Sequence, residues 1–195
     1  MKKVLVFFGA FNPPTTAHID LAELAMKTTE RDEVIFVPSK FAYEQGDVLE
    51  ASSRMEMLND LKLSRPWMAI CDDAQPSAYD TLCRLKEDGV SLSLLIGSDV
   101  LFKMEHEWPN AEQIAKEFGI VCLNRTALEH LDTTLLPYIT FVEVPQAYSL
   151  LSSTGVRTQY DIALFHWQKL CDITPPEVSA HLLKSFMKEV IAHDS

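Results

Sequence analysis

Thr15 and His18 lie three residues apart, directly after the corner Asn12-Pro13-Pro14, where neither strand pairing nor a helix interior can continue. At that spacing a hydroxyl and an imidazole project from one side of a first helical turn. Gly9 ends the apolar run before them, so backbone N–H groups there can come close to an anion. The next helix points its positive end at the same place. Such a set suits a phosphate group. The plainer alternative is a proline-rich corner with Thr15 as a helix cap and His18 on the surface.

A second set lies near the other end of the chain, in "SLLSSTGVRTQY". Ser152, Ser153 and Thr154 are cap-forming residues in a row, followed by Arg157 on the helix they would start. Free N–H groups, hydroxyls and a guanidinium at one helix start suit a polyphosphate tail. Taken singly, this too could be a well-capped helix with one solvated arginine. The chain contains neither GxGxxG nor GxxxxGK[ST], which weakens plain dinucleotide-fingerprint and P-loop readings.

The elements that must position these residues alternate. Apolar runs at 3–8, 33–37, 67–71, 91–96, 119–124 and 139–144 predict strands. Helical patterns are expected from His18 to Thr28, over 51–63, over 78–88 before Gly89, near 110–118, from Thr154 onward, and over 177–193. Within 51–63 the inward residues are expected to be Met55, Leu58 and Leu61; Met55, Met57 and Met68 are read as core. Strand–helix repetition with short connections predicts an α/β fold with a doubly wound, mostly parallel sheet. No linker or repeat divides the chain, so 1–195 is read as one domain, with a C-terminal helical cap over about 153–195. Ligands of such sheets bind beyond the carboxyl ends of the strands. That directs attention to 9–18, 38–46, 97–108 and 152–157.

Composition narrows the functional class. The chain has 195 residues, 47% hydrophobic and 23% charged, as expected of a soluble globular domain. The net charge is −11, against binding to long nucleic acid, whose affinity comes mostly from Lys and Arg on phosphates. A local cation can still hold a small phosphorylated ligand within a Debye length of about 8 Å. No run long enough to span a membrane occurs, and the N-terminal run is broken at Gly9 and Asn12, as a buried strand rather than an export signal would be. Cys71, Cys83, Cys122 and Cys171 form no CxxC pair and are read as small core fillers of a reduced, cytoplasmic protein. His106, His130, His166, His181 and His193 show no metal-ligand spacing and are read as surface or edge residues.

"GAFNPPTTAH" together with "SSTGVR" resembles the motif pair (H/T)xGH and SxTxxR of a nucleotidyltransferase superfamily. With "RMEML" (54–58), "AYDTL" (78–82), "LLIGSDVL" through "EW" (94–108) and "VCLNR" (121–125), the chain is similar to its nicotinate/nicotinamide mononucleotide adenylyltransferases. The likeness runs from residue 3 to about 160, and it implies a Rossmann-like nucleotidyltransferase fold. It also implies direct in-line transfer of the adenylyl group of ATP to a pyridine mononucleotide, with Mg²⁺ accompanying ATP. By this resemblance His18, Thr15 and Arg157 are catalytic, and Gly9, Ala10, Phe11, Gly97, Asp99, Ser153 and Thr154 join them around ATP. Trp108 and Thr81 would bind the acceptor, with Lys40, Arg54 and Arg125 as weaker candidates for its phosphate. Of these, Arg54 is read by preference as surface charge or part of an ion pair. Ala17 stands where the motif usually has Gly, and "PSKFAYEQ" replaces a frequent Pro-Pro-His-Lys loop. The alternatives are another adenylyl- or cytidylyltransferase, such as one for phosphopantetheine, and a nucleotide-binding sensor without turnover. Expected partners are therefore ATP and a pyridine mononucleotide, with no membrane and no long nucleic acid; self-association stays open.

Overall fold

The structure, a computed structural model, describes residues 1–39, 51–124, 134–148 and 171–193. In chain order the elements are β1 (Lys2–Gly9), α1 (Thr16–Thr28), β2 (Glu33–Pro38), α2 (Ala51–Leu63), β3 (Met68–Ile70) and α3 (Ala78–Leu85). They continue with β4 (Val90–Gly97), α4 (Ser98–Glu107), α5 (Ala111–Phe118), β5 (Ile120–Asn124), β6 (Ile139–Glu143) and α6 (Pro176–His193). Each expected strand forms to within one residue at either end. The segment 98–107, inside the stretch to which the carboxyl-end rule directed attention, is a helix. Val100, Leu101 and Met104 give it an inward face, and Gly97 starts it without a side-chain cap.

All six strands lie in one sheet, in the order β3-β2-β1-β4-β5-β6, and every pairing is parallel. Because side chains alternate across a strand, the two faces collect different residues. Leu5, Phe7, Val34, Phe36, Leu95, Val121 and Leu123 bury themselves under α1, α2 and α6. Val4, Val6, Leu92, Leu94, Ile96, Ile120 and Cys122 face α3, α4 and α5. The sheet is thus doubly wound, with helices on both faces.

Strand order reverses between β1 and β4. After β1 the chain winds outward through β2 and β3, then crosses back to β4 on the other flank. Loops leaving β1 and β4 diverge to opposite faces and leave a crevice between them, where ligands of such sheets bind. The register pairs Phe7 with Leu95; continued by two residues, it sets Gly9 level with Gly97.

Inside α2 the inward residues are Arg54, Met57, Leu58 and Leu61, all buried, while Met55 is half-buried. Arg54, expected at the surface or in an ion pair, is 3% exposed. Among the cysteines Cys122 is buried, Cys71 and Cys171 are half-buried, and Cys83 is exposed on α3, so core filling does not describe all four. His106 is exposed and His181 half-buried, as surface or edge residues would be. No helix of the described residues is long and apolar enough to cross a membrane.

Candidate active site

Gly9, Phe11, Thr15 and His18 occupy the turn between β1 and α1, at the point of reversal. Gly9 is required by close packing: a Cβ there would stand 2.8 Å from Cζ of Phe11. Phe11 has a φ of 45°, a left-handed conformation that costs an aromatic residue energy. Its ring is fully buried and wedged between Phe7 and Phe36, with centroids 5.4 and 5.3 Å away, and stands edge-on to the His18 imidazole at 5.3 Å. The buried ring holds the turn in its strained shape and supports the imidazole from below.

Thr15 is the N-cap of α1, and its oxygen accepts from the His18 N–H at 3.4 Å. The reciprocal bond runs from the Thr15 N–H to Nδ1 of His18, at 3.0 Å, which makes this a capping box with histidine in the third position. The Thr15 hydroxyl lies 2.7 Å from the same Nδ1. An amide N–H can only donate, so Nδ1 must be unprotonated. The ring is therefore the neutral tautomer with its proton on Nε2. Thr15 itself is 1% exposed. The expected contact of its hydroxyl with phosphate gives way to a role inside the cap, because the first helical turn and the imidazole claim that oxygen. No acidic residue sits in the first turn of α1, so the positive helix end is left uncancelled for an anion.

Across the crevice, Gly97 ends β4 and Asp99 is exposed in the first turn of α4. A Cβ on Gly97 would meet the Asp99 carboxylate, which folds back over the glycine. Trp108 closes the far end of α4 as its C-cap, with its N–H donating to the Met104 carbonyl at 3.1 Å. Its half-buried indole meets Phe8 of β1 edge-on, 6.4 Å between centroids, near the carboxyl end of the sheet. Thr81 was expected, with the neighbouring backbone, to read the carboxylate or amide of the acceptor. It is fully buried, and the hydroxyl donates to the Ser77 carbonyl at 3.0 Å and accepts from the Gln75 N–H at 2.9 Å. That oxygen braces the 75–77 loop and the start of α3.

Lys40, Arg125, Ser153, Thr154 and Arg157 lie outside the described residues. The chain reaches the neighbourhood of α1 shortly before the last three. Tyr148 donates its hydroxyl to Asp20 at 2.7 Å, five residues ahead of Ser153 and two after His18 on α1. That hydrogen bond raises the Tyr148 pKa, with burial adding to it. Arg54 is the residue that sequence reasoning set aside. Its signal was helical phase, since positions 54, 57, 58 and 61 share one face of α2.

A family model described as cytidylyltransferase-like matches residues 6–159. A probable nicotinate-nucleotide adenylyltransferase of Desulfotalea psychrophila is 29% identical over 94% of this chain and 98% of its own length. A nicotinamide/nicotinic acid mononucleotide adenylyltransferase of Arabidopsis thaliana is 32% identical over 63% of this chain and 61% of its own. Among solved structures, the Plasmodium falciparum nicotinic acid mononucleotide adenylyltransferase complexed with NaAD superposes with a TM-score of 0.76. It has 17% identity and covers 95% of this chain and 96% of that one.

Proposed function

The chain belongs to the cytidylyltransferase-like family, and we propose that within it the protein transfers the adenylyl group of ATP to nicotinate or nicotinamide mononucleotide. The observation that carries the reading is the Thr15–His18 capping box, which offers an Nε2–H donor beside an uncancelled helix N-terminus where the strand order reverses. The substrate class is supported by the names of the relatives.

An oxygen of the acceptor's phosphate attacks the α-phosphorus of ATP, and the bond from that phosphorus to the departing pyrophosphate breaks. No covalent enzyme intermediate is needed, so the protein contributes positioning and charge stabilisation. His18 donates from Nε2 to an α-phosphate oxygen as negative charge builds on it. Gly9, Ala10 and Phe11 bring backbone close to the nucleotide, and the N-terminus of α1 adds its field. Asp99 beyond Gly97 accepts from ribose hydroxyls of the adenosine. Ser153, Thr154 and Arg157 take the β- and γ-phosphates.

On the acceptor side Trp108 stacks on the pyridine ring, with Thr81 acting through the 75–77 loop it braces. Lys40 and Arg125 serve the acceptor phosphate. Mg²⁺ accompanying ATP would neutralise phosphate charge during the transfer. Free thiols at all four cysteines suit the reducing cytoplasm.

The test offers ATP and Mg²⁺ with nicotinate mononucleotide, nicotinamide mononucleotide or phosphopantetheine in turn, and follows pyrophosphate and product for wild type and His18→Ala. Turnover of a pyridine mononucleotide, lost in the variant, is the expected result and ranks the two bases. Turnover of phosphopantetheine alone, or ATP binding with no turnover, rejects the proposal.

A further inference from the structure

Arg54 brings a guanidinium into the interior from α2, where burial pulls its pKa below the usual value without removing the charge. A buried cation is tolerated when its donors are satisfied. Here one terminal nitrogen donates to the Ala10 carbonyl at 2.6 Å and to the Ser39 carbonyl at 3.2 Å. The other donates to Ser39 at 3.1 Å. Ser39 in turn donates its N–H to the Gly9 carbonyl at 2.9 Å. The turn after β1, the exit of β2 and the body of α2 therefore close on one guanidinium.

The acceptors matter as much as the donor. The peptide from Ala10 to Phe11 is trans, and the carbonyl and N–H of a trans peptide point in opposite directions. With the Ala10 carbonyl held against Arg54, the Phe11 N–H is turned away from it. That N–H has no hydrogen-bond partner among the described residues. A charged donor on the carbonyl also polarises the peptide and strengthens its N–H as a donor. The other end of the same residue is fixed by the buried Phe11 ring, which stands against His18.

We propose that Arg54 is a positioning residue that holds the Ala10–Phe11 peptide so that its N–H meets a phosphate oxygen alongside His18. Arg54 does not touch the substrate; it acts through the Ala10 carbonyl, and its grip on Ser39 keeps the exit of β2 against the same turn. The inference rests on the phosphate-site reading given above.

Arg54→Met keeps the side chain's bulk and removes its donors, whereas Arg54→Lys keeps a cation that has one nitrogen in place of the fork. For wild type and both variants, calorimetry would measure the binding of α,β-methylene-ATP, whose α-phosphate cannot be transferred, thermal unfolding would confirm the fold, and kcat and KM would be taken with ATP and nicotinate mononucleotide. A lost charge-assisted hydrogen bond predicts α,β-methylene-ATP affinity about 10- to 100-fold weaker in folded Arg54→Met. The kcat should fall about 10²-fold with little change in acceptor KM, and Arg54→Lys should fall between. A merely structural arginine would lower the unfolding temperature and leave the folded protein's affinity and kcat alone.

Wild-type affinity for α,β-methylene-ATP in folded Arg54→Met overturns the proposal. If that variant does not fold, the same affinity in Arg54→Lys overturns it. Absence of binding of the analogue by the wild type does so as well. Binding of the analogue that depends on Arg54, without turnover of either pyridine mononucleotide, would reject the proposed reaction and leave the role of Arg54 standing.

Discussion

The Thr15 N–H donates to Nδ1 of His18 at 3.0 Å, and the Thr15 hydroxyl lies 2.7 Å from the same nitrogen. The backbone alone suffices to set the tautomer, and the hydroxyl reinforces it. The imidazole nitrogens of the free protein should accordingly show the Nε2–H form by ¹⁵N NMR. His18→Ala should lower kcat by about 10²–10³-fold, the usual cost of removing one preorganised donor. Thr15→Val keeps the amide bond, loses the cap hydroxyl, and should cost about 1 kcal/mol of stability with a smaller loss of kcat. A Thr15→Val protein as inactive as His18→Ala would place the hydroxyl itself on the substrate.

Gly9→Ala tests the crowding of the turn. The added methyl would sit 2.8 Å from a ring atom of Phe11, which is fully buried and cannot swing out. Overpacking of this kind costs about 1–3 kcal/mol. Chemical denaturation should show that loss, and nucleotide affinity should fall with it because the ring supports His18.

Trp108→Ala should raise the KM for the pyridine mononucleotide about tenfold or more, as expected for losing an aromatic stacking platform, and leave the KM for ATP nearly unchanged. Trp108→Phe should recover most of the loss. Equal effects on both substrates would make the indole a packing partner of Phe8 and nothing more.

Arg65, two residues past the end of α2, meets Glu177 in the first turn of α6 at 3.2 Å. Burial pushes the Glu177 carboxyl up, but its own backbone N–H and then the Arg65 guanidinium outweigh burial and hold it below the usual range. A carboxyl lowered in the folded state stabilises the fold above its unfolded pKa of about 4.3, and that contribution is lost as the pH falls through the folded value. Glu177→Gln should therefore cost up to about 1 kcal/mol near pH 7 and progressively less below pH about 4. Urea midpoints of both proteins across that range check the sign.

Cys122 is buried in β5, and burial, with the Asp99 charge adding to it, pushes its thiol up to about 12. Cys83 is exposed on α3. Iodoacetamide near pH 8 should label Cys83 in the native protein and reach Cys122 on unfolding. Labelling of Cys122 at the native rate of Cys83 would show that β5 opens locally.

Much of this was legible in the chain. Short apolar runs bounded by Gly, Pro and polar residues specified the six strands, because strands buried on both faces in a parallel sheet must be apolar throughout. Thr15, His18 and the glycines at the strand ends were visible because a strand-to-helix turn admits few residue types. The tertiary structure alone decided what their polar atoms do. It turned the Thr15 hydroxyl onto His18, since the helix start had orphan donors to satisfy, and spent the Thr81 hydroxyl on its own loop. It formed a helix over 98–107, to which the sequence reading had assigned no element, because Leu101 and Met104 found a sheet face to cover. It also drew Arg54 inward, onto carbonyls that come from residues 10 and 39. Local pattern reports which side of a helix is apolar; which distant carbonyls meet a guanidinium there depends on how the β1 turn, the β2 exit and α2 converge.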